Sequence, residues 1–446
     1  MFQRSRPLTR TRFVSLIAVA ALSLSGCSAA ATPSPEPSAS TQPSPGSGPS
    51  EPPSAAPSDL PSASPSVTPS AAQSEVPSAE PTNSAEPTPS DAPTPTPTPA
   101  LPPATGWSNP VRIAGSAGCA EDSLGIDASS RVHVAGDCAN GVYYAARNPD
   151  STWAGVSFAS PANRTDLGSQ LAFDGGVVYL AYYQISDGAC GGPLATGVYY
   201  RTKTNGTWSA PTRFGALGDE LETFRVENGT LLATVSNGDS KFFETVHGGR
   251  LHRYPIADAE PAGVVSLRLG SDGLPRIAYW SPAGIRYGVF NGTGFTTTTV
   301  IKQDGYVWQP NLVLDASNNP RFLWTHSPAP GGCVTTDPTP LDGTYYATDQ
   351  GGTWTSSRFT TDVGDTSLQL DNGSGEAYAL VTSDGGVDEF TRSPAGSWTA
   401  NRLVGLDAQN PVLRRDPATG ALLVALTVYS GESVPPGIYV MTKPGN

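Results

Sequence analysis

The chain has 446 residues, 44 of them proline and 48 glycine, with 15 % charged and 37 % hydrophobic residues and a formal net charge of −13. The glycines follow no period of three, which excludes collagen; one apolar run excludes a polytopic membrane protein; and the acidic balance argues against nucleic acid as a partner. Of the 44 prolines, 22 fall in the 75 residues from Ala31 to Thr105, so about 340 residues of ordinary composition remain to build a core.

In chain order, Arg4, Arg6, Arg10 and Arg12 precede an apolar stretch from Phe13 to Leu24. About twelve residues are too few for a span of roughly 20 and suit a signal-peptide core. The arginines are spaced rather than paired, so twin-arginine export is unsupported. Leu24-Ser25-Gly26-Cys27 follows and resembles the lipobox of bacterial lipoproteins; the plainer alternative is a secretory signal with a chance cysteine. The resemblance implies that residues 1–26 are the signal peptide and that Cys27 carries several acyl chains, as stable anchoring requires. The expected location is the outer side of the cell membrane, with the membrane touched through the lipid alone.

Residues 27–105 then read as a tether. From Ala31 to Thr105 there are seven acidic residues, no lysine or arginine, and few large apolar side chains, so nothing offsets the entropy of ordering the segment. Pro-Ser and Thr-Pro pairs bias it toward polyproline II, which at about 3.1 Å per residue reaches roughly 230 Å when fully extended. The composition also permits O-glycosylation.

Residues 106–446 carry a repeat of roughly 40 to 55 residues. First strands include Ser123-Leu-Gly-Ile-Asp127, Gln170-Leu-Ala-Phe-Asp174, Asn311-Leu-Val-Leu-Asp315 and Ser367-Leu-Gln-Leu-Asp371. Third strands are aromatic, as in Gly141-Val-Tyr-Tyr144, Gly197-Val-Tyr-Tyr200 and Gly437-Ile-Tyr-Val440, and occur seven times. Fourth strands open at Trp153, Trp208, Phe295, Trp354 and Trp398. The seventh copy ends after its third strand, while Gly106-Trp107 to Ile113 reads like Gly206-Thr-Trp208 to Phe214. The spacing predicts an all-β, seven-bladed β-propeller of four-stranded blades, the strand at 106–114 completing the C-terminal blade. A β-sandwich with accidental similarity is the alternative.

Asp349-Gln-Gly351-Gly-Thr353-Trp354 resembles the Asp-box (BNR) repeat of sialidase-like propellers, with Ala347 where that pattern has serine. The resemblance implies that Trp107, Trp153, Trp208, Trp354 and Trp398 are structural, since Asp-boxes sit at turns away from the active site. The match stops short of the enzyme: no Arg-Ile-Pro motif opens the domain, no Tyr/Glu pair can be placed, and sialidases have six blades.

Apart from Cys27 the cysteines are Cys119, Cys138, Cys190 and Cys333, an even number in an exported chain. With strands A to D counted outward from the axis, all four fall on the face of the D–A and B–C loops. Cys119 with Cys138 is the expected first disulfide and Cys190 with Cys333 the second; a cysteine metal site lacks the C-x-x-C spacing. Loops on a rigid scaffold concentrate function, so site candidates are sought there: Asp122, Asp166, Glu220 and Asp365 among the D–A carboxylates, with Trp280, Trp308, Tyr306 and His326. The aromatic rings suit stacking on sugar or peptide. The carboxylates permit glycosidic acid–base chemistry or Ca²⁺, against a plain solvated acidic rim. No metal or other cofactor is assigned. Arg225, Arg268 and Arg414 sit on innermost strands and either hold an anion near the axis or, the preferred reading, pair with rim acids. No H-E-x-x-H or G-x-S-x-G motif is present.

These features point first to a monomeric, non-catalytic binding module for an extracellular glycan, peptide or protein. A sialidase-like glycoside-active enzyme using rim carboxylates is the runner-up, and an envelope assembly scaffold the third reading.

Overall fold

Runs of β-branched and aromatic residues broken by Gly, Asn and Asp favour hairpins over helices. The computed structural model describes residues 104–186, 194–302, 306–327, 341–350, 352–429 and 434–445. The signal segment with Cys27, the tether up to residue 103, Cys190 and Cys333 lie outside the described residues. So do the side chains of Asp122, Tyr306 and Trp308, whose backbones lie in strands.

The regular elements among the described residues are all β-strands, β1 to β29 in chain order. They form seven antiparallel sheets, six of them four-stranded; in the remaining one the outermost strand is split in two. Six blades follow chain order, with innermost strands β2 (Cys119–Ile126), β6 (Arg164–Asp174), β11 (Glu220–Glu227), β15 (Ser266–Leu269), β19 (Tyr306–Leu314) and β23 (Thr366–Leu370). The seventh starts at β27 (Ala408–Arg415), ends at β29 (Gly437–Lys443), and takes β1 (Val111–Arg112) as its outer strand. Each innermost strand contacts those of the blades before and after, and β27 contacts β2, so the ring is closed. This is the seven-bladed propeller expected from the repeat.

The core is distributed over the joints. Seven apolar clusters are present, one between each pair of neighbouring blades. The recurring aromatic residue of the outer strand belongs to them: Trp208 packs back on the first blade, Trp354 on the fourth and Trp398 on the fifth. Trp107 and Trp153 pack likewise on the sixth and seventh. Trp324 is wholly buried and stacks on Tyr345 at 5.5 Å. The glycine that opens the third strands has a steric cause. Gly141 sits at φ 134°, and a Cβ there would run into the carbonyl oxygen of Phe158 on the next strand.

Blade seven shows why its two ends match. Val111 and Arg112 pair with Val440 and Tyr439, and the Ile113 amide donates to Ile438 O at 2.9 Å. In blade two, Thr212, Arg213 and Phe214 pair with Tyr200, Tyr199 and Val198 in the same register. Even the serine bonds repeat, Ser209 Oγ accepting from the Thr202 amide and Ser108 Oγ from the Thr442 amide, both at 3.0 Å. Cys119 lies directly across from Cys138 in the first blade, and the two form a disulfide.

Candidate functional site

The innermost strands share one register. In each blade a buried Leu or Phe points into a joint: Leu124, Leu171, Phe224, Leu267, Leu312, Leu368 and Leu413. The residue before it is polar in six blades: Ser123, Gln170, Thr223, Ser266, Asn311 and Ser367; in the seventh it is Val412. Alternation along a strand turns these side chains the other way, toward the next blade. There they staple the ring together. Ser123 Oγ accepts the Leu171 amide at 3.0 Å, Gln170 Oε1 the Phe224 amide at 2.8 Å, and Ser367 Oγ the Leu413 amide at 2.9 Å. Thr223 Oγ1 donates to Val265 O, and Asn311 Nδ2 to Thr366 O.

Just before this tier the innermost strands of blades one, two, three, five and seven carry bulges. A bulge re-aims side chains and loosens the ladder, and here it opens the axis. An axial cavity of about 240 Å³ is lined by residues of all seven innermost strands and reaches the D–A loops at Val264 and Asp365. Two residues beyond the polar tier, on the same strand face, stand Arg225, Arg268 and Arg414, all lining the cavity.

The three arginines adopt one conformation. Each donates an Nη1 hydrogen to the carbonyl just before it, Phe224 O at 2.6 Å, Leu267 O at 3.1 Å and Leu413 O at 2.8 Å. Burial, then the positive charge of Arg414, pushes Arg225 down to about 9. Burial, then Arg225 and Arg414, pushes Arg268 well below the usual guanidinium range. A guanidinium stays protonated near neutral pH, so these shifts record an unfavourable environment for charge. Contrary to the pairing expected from sequence, neither Arg225 nor Arg268 has a carboxylate partner among the described residues. The cavity acid of blade three is taken: Glu222 is ion-paired with Lys241 and accepts the Val265 amide at 3.1 Å. Burial raises the Glu222 carboxyl, with Lys241 opposing.

Of the residues singled out from sequence, Asp365 lines the cavity and accepts the Asn410 amide at 3.3 Å. Asp166 is buried in blade two, where Gln184 Nε2 donates to it at 2.7 Å; burial raises its carboxyl against that bond. Glu220 is exposed at the start of β11. Trp280 is half-buried against the cluster between blades four and five. His326 is buried, with Nδ1 3.3 Å from Asp342 Oδ1. For Asp122, Tyr306 and Trp308 only the backbone is described; Trp308 pairs with Thr325 and Tyr306 with Ser327. The structure therefore brings Asp365 to the axis and leaves Asp166, Glu220, Trp280 and His326 off the cavity lining.

The cavity residues that sequence reasoning passed over are Ser123, Gln170, Ser266, Asn311 and Ser367. Their signal is a polar residue directly before the leucine of these first strands, in four of them at the same offset from the closing Asp of Asp127, Asp174, Asp315 and Asp371.

No family model matches the chain, and no curated protein matches it. Solved structures do. Virginiamycin B lyase from Staphylococcus aureus aligns with a TM-score of 0.51 at 10 % identity, over 76 % of this chain and 99 % of that one. A streptogramin B lyase structure gives 0.52 at 10 % identity, over 75 % and 97 %. A Trypanosoma rangeli sialidase in complex with sialic acid aligns at 0.42 and 11 % identity, over 77 % and 60 %. Likeness at such identity shows the propeller fold alone.

Proposed function

We propose that the protein is an exported, lipid-anchored propeller that binds an extracellular glycan, peptide or protein on the face of its D–A loops and does no chemistry on it. The observation that carries this is the axial cavity itself. It is polar, drawn from every blade, and open at the loop level of that face. Its wall is held by inter-blade hydrogen bonds rather than by mobile side chains, the preorganisation that lowers the cost of binding. Both carboxylates among the described lining residues are already engaged, Glu222 with Lys241 and Asp365 with the Asn410 amide, which supports recognition over acid–base catalysis. The lipobox-like Leu24-Ser25-Gly26-Cys27 and the proline-rich segment support a domain held away from a membrane.

The test is a glycan array probed with the purified full chain, followed by mass spectrometry of the bound glycans. The expected result is a defined subset of positive glycans with unchanged mass. A shortened or eliminated product would replace this reading with the enzymatic one. A silent array, with one envelope protein recovered on crosslinking, would replace it with the scaffold.

A further inference from the structure

We infer that the axial cavity is an oxyanion site, in which Arg225, Arg268 and Arg414 hold the carboxylate, sulfate or phosphate group of a ligand entering from the D–A face. The inference deepens the binding reading and rests on it for the direction of entry.

The charges in the cavity run against those of the domain. From Gly106 to Asn446 the acidic residues outnumber lysine and arginine by ten. Among the described side chains of the cavity wall, the three arginines and the Lys241 that pairs with Glu222 face Glu222 and Asp365, a surplus of two positive charges. Like charges gathered in a partly desolvated space repel strongly. Natural interiors offset such charges with a partner, and among the described residues Arg225 and Arg268 have a neighbouring carbonyl and no carboxylate. That carbonyl takes one of five guanidinium donors, and the fork that remains suits the paired oxygens of a carboxylate, sulfate or phosphate.

The arrangement is specific. The three arginines occupy one register position on blades three, four and seven, whose other occupants are Gly125, Ala172, Val313 and Gln369. Arginines placed for solubility would not repeat a half-buried position facing the axis and one conformation. The size also limits the ligand. About 240 Å³ falls below the roughly 300–1,000 Å³ of pockets for drug-sized molecules. The cavity therefore accepts a small acid or the acidic end of a longer ligand.

The test is calorimetry of the full chain with glucuronate, sulfate and inorganic phosphate, each at constant ionic strength against chloride. At least one anion is expected to bind, and Arg225→Gln or Arg268→Gln to weaken it tenfold or more. Arg250→Gln, exposed on the outer strand of blade three, should leave it unchanged. Binding of glucuronate alone identifies an acidic sugar; binding of sulfate or phosphate alone identifies a tetrahedral anion. Melting gives a second readout. In chloride, Arg268→Gln should melt above the parent chain, because it relieves repulsion, and should lose the rise that the anion gives the parent. Binding of none of the three anions overturns the site, as does an Arg268→Gln chain that binds as well as the parent or melts below it in chloride. A positive glycan array beside three silent anions overturns the oxyanion site while the binding reading stands. Anion binding beside a silent array does the reverse.

Discussion

Buried charge is the theme at the residue scale, and the axis is not its only instance. In blade three Asp219 and Glu244 are wholly buried and share Arg253, whose Nη1 lies 2.9 Å from an Asp219 oxygen and 2.6 Å from Glu244 Oε1. One cation faces two carboxylates. Burial and the Asp219 charge therefore hold Glu244 up at about 7, against the pull of Arg253. The unfolded glutamate titrates near 4.5. Between about pH 4.5 and 7 the folded chain keeps a proton that the unfolded chain has lost, so this group costs stability as pH rises through that window. Other groups titrate nearby, His133 among them with its imidazole held down by burial, so the clean quantity is a difference. Glu244→Gln should melt several degrees above the parent at pH 8, at about 2–4 °C per kcal/mol for a domain of this order. The gain should fade by pH 5. An equal gain at both values would place the effect outside this titration.

At the scale of the element, the closing blade shows how much a sequence can disclose. The pairing of Gly106–Ile113 with the C-terminal copy was legible because strands of equal role carry equal residues. Trp107, Ser108 and Ile113 stand where Trp208, Ser209 and Phe214 stand in blade two, and the hydrogen bonds coincide. The third-strand glycine was legible because a positive φ against a carbonyl leaves one residue type. Ile113 is wholly buried among Leu124, Ala425, Ile438 and Val440, and so joins the last blade to the first. Ile113→Ala should cost about 2–5 kcal/mol by lost burial and the cavity left behind. Denaturant unfolding should register it as a lower midpoint at an unchanged slope. A near-neutral result would mean that the N-terminal strand is not needed to close the ring.

The candidate site was less legible for a reason that belongs to the whole molecule. Sequence places Arg225, Arg268 and Arg414 on equivalent strands, but their mutual proximity exists only after seven blades have closed around an axis, and the lack of an acid partner for Arg225 and Arg268 among the described residues only after Lys241 has taken Glu222. The same closure makes the six staples visible, and with them one exception. Val412 stands where the other blades carry a polar side chain, so the joint between blades seven and one lacks the tie made by Ser123, Gln170, Thr223, Ser266, Asn311 and Ser367. Blade seven is also where both ends of the domain meet. Among the side-chain hydrogen bonds across the joint, Ser130 Oγ to Asp416 Oδ1 at 3.1 Å lies at the far end of the strands and Tyr143 Oη to Ala114 O at 2.6 Å reaches the outer strand, both away from the polar tier. A ring with one weaker joint opens there first, because local opening follows the least costly set of contacts. Native-state hydrogen exchange in mild denaturant should therefore release the amides of β27 and β29 before those of β6, β11 and β23. An added oxyanion that bridges Arg414 of blade seven to Arg225 and Arg268 should slow that release, tying the seam to the rest of the ring. Simultaneous loss of protection in all seven blades would show that the polar tier contributes evenly and that the seam is no weaker than the joints around it.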